Sequence, residues 1–395
     1  MRICFYSSGN SLQGGAERSQ ARIVQYRIDC GDEVHVVLPA KSELTDHYRR
    51  IGATMHVIHW QHLQRLTDPV HVLRYLFGWP VITLRLCRLL RRERIDLLHV
   101  NEILDFQGLV AARLAGVPCA TYVRIILPSR LMRYVVRTIA LAFADRVVPV
   151  SHATHRLALG GVQNPRVCVI HNPGADLSVF DPKQVKPIHS FGTTANVRVI
   201  GMVAKLVREK GHLIFVELAG RLRDRGYDNL RYVIVGGEVP GHQAYAGELR
   251  DAVRARGLDP VFQFAGQQRN IAGYLAGWDI VCHLPLVEDC FPGVILEAAA
   301  MQRPILSFVS GGITEQVTHP DSARLVPIGD IDALTRHAAE LLDNPDKAVH
   351  MGQHARDEVT AKFSIEKNRR QLDRLYDELV HHRHPLRPGE RGEQP

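Results

Sequence analysis

The sequence predicts an α/β protein of two doubly wound, Rossmann-like domains facing across a cleft. Three observations predict it. Short apolar runs alternate with longer helical stretches, a polar segment with Pro182, Pro187 and Gly192 interrupts the alternation, and the alternation then restarts. Near-continuous Val/Ile/Leu runs fit parallel strands covered by helices on both faces, and a strand–helix alternation of this kind reads as βαβ units.

In the first half the strand runs are Arg2–Tyr6, Glu33–Leu38, Met55–Ile58, Asp96–Val100, Cys119–Val123, Arg146–Val150 and Val167–Ile170. Helical stretches such as Ala16–Asp29 and Gly108–Ala115 separate them. After the interruption, Arg198–Val203, Leu230–Val235, Val261–Phe264, Ile280–His283, Pro304–Phe308 and Arg324–Val326 continue the series, with a helix at Gly211–Arg225. The expected division is an N-terminal domain at 1–180, a linker at 181–197 and a C-terminal domain at 198–362. A helix at 363–382 packs back toward the N-terminal domain, and a polar tail at 383–395 has no apolar face to order it.

The chain has 395 residues, enough for two ordinary cores. Lys and Arg outnumber Asp and Glu by 49 to 41, an excess that suits an anionic ligand or surface. Zinc-finger spacing and basic–aromatic stripes are missing from the sequence, which argues against a nucleic-acid partner. Seven scattered cysteines without a C-x-x-C pair read as free thiols in a reducing compartment. The start, MRICFYSSGN, lacks an apolar signal core, and no apolar run approaches the roughly 18 residues of a membrane span. A cytoplasmic location is expected.

Ligands of open α/β sheets lie outside the carboxyl ends of the strands, so the loops there are the candidates for chemistry. After the first strand, Gly14 and Gly15 precede a helix, and glycine lets backbone amides approach a phosphate or sugar. The spacing is not G-x-G-x-x-G, so a dinucleotide is not indicated. After the first strand of the second domain come Lys205, Arg208 and Lys210, a cluster matched to a diphosphate. The third segment runs from Pro285 to Ala298 and carries Glu288, Asp289, a Pro292-Gly293 turn and Glu297 on a following helix. Free amides at Val294 and Ile295 suit phosphate, and a carboxylate accepts hydrogen bonds from a vicinal diol. Gly311 and Gly312 form a fourth glycine-rich loop, which also reads as anion-suited.

Taken together and in order, these segments resemble glycosyltransferase family 4, with its GT-B fold, over nearly the whole chain. Gly14-Gly15-Ala16-Glu17-Arg18 looks like the family's GGAER segment. Ala144–Ser151 looks like its ADR–apolar–VS stretch, and Ile170–Asp176 through Phe180 looks like its NPG turn. Asp289 to Glu297 matches its E-x7-E element in an Asp-first, EDxFP variant. The resemblance implies a retaining, metal-independent enzyme with no cofactor, whose co-substrate is a UDP- or GDP-sugar. Lys205 and Lys210 would hold the donor diphosphate and take the catalytic role with Asp289, which would face the donor sugar. Glu297 would bind the ribose, and amides at Gly14–Gly15 and Gly293–Ile295 would complete the donor site. The acceptor implied is a glycan or lipid-linked sugar of cell-surface polysaccharide or glycolipid assembly.

The sequence also departs from the family. Lys205 stands where Arg is commoner, which keeps the charge and loses a bidentate fork. Val123 stands where many members carry His, so Arg124 and His99 are offered as contacts of donor or acceptor. Asp330-Ile331-Asp332 reads as a helix cap rather than a metal–diphosphate triplet. Arg74–Arg94 and Arg124–Arg137 are basic and amphipathic, and offer an anionic membrane surface a peripheral contact. Two alternatives stand beside transfer, a nucleotide-sugar epimerase of the same fold and a non-catalytic nucleotide-sugar-binding protein.

Overall fold

A computed structural model describes residues 1–9, 11, 14–59, 69–189, 191 and 197–381, with the side chains of 60–77 outside the description. Asn10, Leu12 and Gln13 of the first glycine loop, the Arg74 side chain, most of the 190–196 stretch and the 383–395 tail therefore lie outside the described residues. The chain divides into two units. One comprises Met1–Asn172 and the described residues from Glu366 on, and the other comprises Pro173–Ile365.

The first unit holds a parallel sheet of β1 (Arg2–Tyr6), β2 (Glu33–Leu38), β3 (Thr54–Val57), β4 (Leu97–Val100), β5 (Cys119–Val123) and β6 (Arg146–Pro149). Their order is β3-β2-β1-β4-β5-β6. The connecting helices are α1 (Gly15–Asp29), α2 (Glu43–Arg50), α3 (Pro69–Arg92), α4 (Phe106–Ala115) and α5 (Arg130–Phe143), and α6 (His152–Leu159) follows β6. Cys4, Tyr6, Leu98, Val100, Cys119 and Val123 are buried among α-helical residues such as Leu86, Leu109 and Ala140. Each large apolar side chain buried in this way contributes about 1.5–3 kcal/mol relative to exposure.

The second unit repeats the plan. Its strands are β7 (Arg198–Val203), β8 (Leu230–Val235), β9 (Phe262–Gly266), β10 (Ile280–His283), β11 (Ile305–Phe308) and β12 (Arg324–Val326). Their order is β12-β11-β10-β7-β8-β9, all parallel. The helices are α7 (His212–Asp224), α8 (Gln243–Ala255), α9 (Ile271–Ala276), α10 (Gly293–Ala300), α11 (Ile313–Gln316), α12 (Ile331–Asp343) and α13 (Pro345–Lys362). In both sheets the first and fourth strands are neighbours, which is where the strand order reverses. Crevices for ligands open at such reversals.

The last helix, α14 (Ile365–His381), returns to the first unit. Leu372, Leu375, Tyr376 and Leu379 are buried, and Asp373 binds Arg27 Nη1 at 2.5 Å and accepts from Tyr26 Oη at 2.7 Å. The expected seventh strand, Val167–Ile170, is not one. Val167 makes an isolated bridge to Val147, and the run stays beside β6 through the Cys168 amide to Val147 O at 3.1 Å and the Ile170 amide to Pro149 O at 3.2 Å. Asp330 does cap its helix, accepting from the Ala333 amide at 2.9 Å, while Asp332 pairs with Arg221.

Gly201 in the middle of β7 faces the indole of Trp278, which is buried. A Cβ there would lie 2.0 Å from the Trp278 ring. Gly201→Ala should therefore cost at least the roughly 1–3 kcal/mol typical of an overpacked core, read as a lower midpoint in urea. An unchanged midpoint would mean that the ring is free to shift.

Candidate functional site

In the second unit the loops after β7 and β10 meet at the strand-order reversal. The β7 loop carries Lys205 and then a short 3₁₀ turn at Arg208–Lys210. Gly211 ends that turn with φ +73°, and a Cβ there would lie 2.0 Å from the Leu284 carbonyl oxygen, so only glycine lets the two loops touch. The Leu286 amide then donates to Glu209 O at 2.8 Å, fixing the β10 loop against the basic one.

This contact brings Lys210 to Asp289. Lys210 Nζ donates to Asp289 Oδ2 at 2.5 Å, and His283 Nε2, at the end of β10, lies 3.4 Å from the same oxygen. Burial pushes the Asp289 carboxyl up, but Lys210 and His283 outweigh it and hold the group well below the usual carboxylate range. His283 is pushed down by burial, which the Asp289 carboxylate only partly offsets. His283 escaped the sequence reading. Its signal was a polar residue closing an apolar strand at the edge where ligands sit.

The fourth segment works differently from its expected role. Ser310 Oγ donates to Val287 O at 2.9 Å and accepts from the Asp289 amide at 2.9 Å. The Gly312 amide donates to Asp289 O at 2.9 Å, and the Gly311 amide donates to the Glu288 carboxylate. The amides read as anion-suited thus hold the acidic loop. Their helix, α11, has only four residues. Arg208 is likewise engaged, paired with Glu248 and lying 5.0 Å over the Tyr245 ring. Of the three loop cations, Lys205 is exposed and Lys210 half-buried beside Asp289.

α10 starts next to this loop at Gly293, which is exposed, and carries no side-chain cap. Val294 and Ile295 follow it, buried. Glu297, in the second turn, is 5% exposed. Its side chain leans back toward the helix start, so that a Cβ on Gly293 would sit 3.9 Å from Glu297 Oε1. Uncapped amides, a returning carboxylate and a cation–carboxylate pair thus occupy consecutive stretches at the carboxyl end of one sheet.

In the first unit, Gly14 caps α1 and Gly15 opens it. Here the chain supplies its own anion. Cβ atoms added at Gly14 and Gly9 would lie 1.8 Å from Glu17 Oε2 and 2.4 Å from Glu17 Oε1, so the Glu17 carboxylate covers the helix start. Arg124, after β5, donates from Nη1 to Asn172 Oδ1 at 2.6 Å and lies 4.8 Å over the Tyr122 ring. His99, offered with Arg124 as a ligand contact, is 0% exposed. Its Nδ1 pairs with Tyr376 Oη at 2.6 Å and its ring stacks on Tyr122 at 4.4 Å, contacts that anchor α14 to the sheet.

Two family models match the chain. One, described as glycosyl transferases group 1, covers residues 188–358, and the other, Glycosyltransferase Family 4, covers residues 13–177. The 2-deoxystreptamine N-acetyl-D-glucosaminyltransferase of Streptomyces fradiae is 28% identical over 293 residues, 68% of each chain. The D-inositol 3-phosphate glycosyltransferase of Corynebacterium kroppenstedtii is 26% identical over 215 residues, 53% of this chain and 47% of its own. This chain thus aligns with about half the length of that relative. Among solved structures, Anabaena Alr3699/HepE in complex with UDP and glucose superposes with a TM-score of 0.81 at 22% identity, covering 96% of this chain and 100% of its own. At that identity the likeness establishes the fold.

Burial, with a smaller push from Arg124, holds the His99 imidazole well below its ordinary value. The folded state keeps the ring neutral while the unfolded chain takes up a proton below about pH 6.5. Stability of the first unit should fall as pH drops below that point. His99→Phe, which keeps a ring in the stack but cannot be protonated, should flatten the dependence by up to about 1.4 kcal/mol per pH unit. Urea titrations at pH 7, 6 and 5 would measure it, and an unchanged slope would show that the ring is not the buried neutral group described.

Proposed function

Because this chain belongs to the GT-B glycosyltransferases of the family 4 type, we propose that it moves a sugar from a UDP- or GDP-sugar to a glycan or lipid-linked acceptor. The transfer proceeds with retention and without a divalent metal. The observation that carries this reading is the Lys210–Asp289 pair set beside the uncapped start of α10, on the edge where open α/β sheets bind ligands.

A donor diphosphate brings two to three negative charges to this edge. Lys210 turns from Asp289 toward the phosphates, exposed Lys205 adds a second cation, and the amides of Gly293, Val294 and Ile295 donate to the oxygens. Glu297, lying back along α10, receives the ribose hydroxyls. Asp289, released from Lys210 but still against His283, faces the sugar hydroxyls.

As the bond from the anomeric carbon to the diphosphate oxygen breaks, charge grows on that oxygen. Preorganised cations and amides stabilise it most where it develops. The acceptor hydroxyl attacks from the same face, its oxygen forms the new bond, and its proton passes to the departing diphosphate. No protein base enters, consistent with Val123 in place of a histidine. The diphosphate role rests with Lys205, Lys210 and α10. Gly14 and Gly15, covered by Glu17, are assigned with Arg124 to the transferred sugar or the acceptor.

A thermal-shift panel of UDP- and GDP-sugars identifies the donor, since a ligand at 100 times its Kd stabilises by about 2.7 kcal/mol. With that donor, Lys210→Ala should lower kcat roughly 10²–10³-fold while the fold persists by circular dichroism, and a chelator should leave wild-type turnover unchanged. Near-normal turnover of Lys210→Ala, or loss of activity on chelation, would discard the mechanism.

The first unit also supports peripheral attachment to an anionic membrane. Among the described residues, α3 and α5 carry no acidic side chain, and both pack against α4. Leu131, Met132, Tyr134 and Val135 of α5 are exposed, Leu131 at 72%, beside exposed Arg130. Val81 and Leu84 of α3 are exposed beside Arg85, Arg88, Arg91 and Arg92. No described helix is long and apolar enough to cross a membrane. The protein should co-sediment with anionic vesicles at low salt and much less at high salt, as screening shortens the attraction. Failure to bind at low salt removes the attachment.

A further inference from the structure

In the second unit two nitrogen groups compete for one carboxylate oxygen. Lys210 Nζ lies 2.5 Å and His283 Nε2 lies 3.4 Å from Asp289 Oδ2. Their freedom differs. Lys210 sits on the basic loop with its side chain 27% exposed, so it can swing away. His283 ends β10 opposite Ser307 of β11, its carbonyl accepts from Ser307 Oγ at 2.7 Å, and its side chain is 2% exposed. Asp289 is held through its backbone by Ser310 and Gly312. Once Lys210 leaves, the carboxylate and the imidazole still face each other across the same short gap.

The contact to Asp289 is long, and the described residues give neither ring nitrogen of His283 a well-formed hydrogen bond. Buried ring nitrogens of a structural histidine are normally bonded. Here no bond fixes one tautomer, and either nitrogen is open to a proton.

Few charged or titratable groups surround the ring. β11 offers Ser307, which does not titrate, and β7 offers Met202 beside Cys282. α10 packs on β10 and carries Glu297, while Glu288 of the β10 loop is bound by the Gly311 amide. The β7 loop brings Lys205, Arg208, Glu209 and Lys210, with Arg208 paired to Glu248. His212, which opens α7, is pushed down to about 4 by burial and stays neutral. The groups that act on His283 are Asp289, which favours a proton on it, and Lys210, which together with burial opposes one. On Asp289, burial opposes ionisation, and the charge of Lys210 is the largest of the contributions that outweigh it. Withdrawing Lys210 therefore removes the repulsion on His283 and deprives Asp289 of its main counter-charge. An arriving diphosphate adds negative charge to the same place, which favours protonation further.

We propose that His283 is a positioning residue of the donor site: it takes up a proton when a donor diphosphate draws Lys210 away, and then serves as the counter-ion that holds the Asp289 carboxylate toward the sugar. The inference rests on the sugar-transfer reading. Lys210 keeps its own proton as it moves to the phosphates. One proton passes from solvent to the imidazole, and no bond of the donor forms or breaks in this step. The proton is taken up by the His283–Asp289 pair as a unit, and a His283 variant shows that the imidazole is required for it. A ligand whose binding takes up a proton binds more weakly as pH rises. Donor Kd should thus increase through neutrality, by up to about tenfold per pH unit.

The test titrates the full chain, without acceptor, with the UDP- or GDP-sugar that gives the largest thermal shift. Calorimetry at pH 7 in three buffers of different ionisation enthalpy counts the protons exchanged. A nucleotide-sugar diphosphate has no proton to exchange near neutrality, so the count reports the protein. Uptake on the order of half a proton per donor is expected at pH 7, falling toward zero at about pH 9. His283→Gln, a neutral donor that cannot be protonated, should bind the donor with no uptake. Its kcat should fall more than its KM changes, and the high-pH decline of wild-type kcat should be absent from it. Lys210→Ala, at saturating donor, should shrink the uptake, because the ammonium is gone before the donor arrives. If His283→Gln does not fold, His283→Asn and Lys210→Ala decide.

Donor binding without proton uptake in the wild type overturns the assignment and leaves the transfer reading standing. So does uptake that persists in either His283 variant or is undiminished in Lys210→Ala. If no nucleotide-sugar binds at all, the transfer reading itself fails.

Discussion

Parallel pairing constrains everything else in this molecule. Six parallel strands in each sheet put every strand's carboxyl end, and the start of every helix that follows, on one edge. Partial positive charge from helix termini collects there, and so do the loops free to carry function. Strand order then selects a place on that edge. Between β7 and β10, as between β1 and β4, successive connections leave in opposite directions, and the loops after the two strands are left facing one another.

What those loops hold follows from close backbone approach. In the second unit, Gly211 lets the basic turn touch the β10 loop at Leu284. Gly311, at φ +47°, lies so near Asp289 O that a Cβ would sit 1.9 Å from it. Two glycines thus bring three loops together, with Ser310 as the polar peg between them. The outcome is a carboxylate, Asp289, whose partners all come from elsewhere in the sequence. Removing one of them would leave a part-buried charge less compensated, which is why such clusters hold a defined geometry.

Much of this was legible in the sequence because the relevant signals are local. Apolar runs at Arg2–Tyr6, Glu33–Leu38, Cys119–Val123, Arg198–Val203, Leu230–Val235 and Ile280–His283 coincide with strands to the residue. The Asp330 cap was visible because Asp opens a helix there. The Lys210 and Asp289 loops were identifiable from charge, turn residues and position after a strand. Contacts made between distant segments were hidden. Nothing in the spacing shows that Arg208 is consumed by Glu248, that the Gly311 and Gly312 amides hold Glu288 and Asp289, or that Tyr376 reaches His99 across 277 positions. Val167–Ile170 has the composition of a strand and is hydrogen-bonded beside β6, but it forms only an isolated bridge, at Val167.

Glu17 separates the two units most sharply. A glycine pair before a helix reads as an anion cradle, because the amides point outward and the dipole favours negative charge. That logic holds in the first unit, and the anion is the chain's own side chain, three residues past Gly14. A helix start already neutralised by a carboxylate has little left for a phosphate. Burial raises the neighbouring Glu102 and Asp105 above the usual carboxylate range, with Glu17 adding to both shifts. At the matching position of the second unit, α10 begins with an exposed glycine and no side-chain cap, with Glu297 leaning back only as far as Gly293 and with Lys210 close to Asp289. The same supersecondary plan therefore yields two edges of different character, one with an uncapped helix start beside a cation–carboxylate pair and one whose helix start is covered by its own carboxylate. The difference lies in which side chain lies against the first helical turn, a detail that fold alone does not decide.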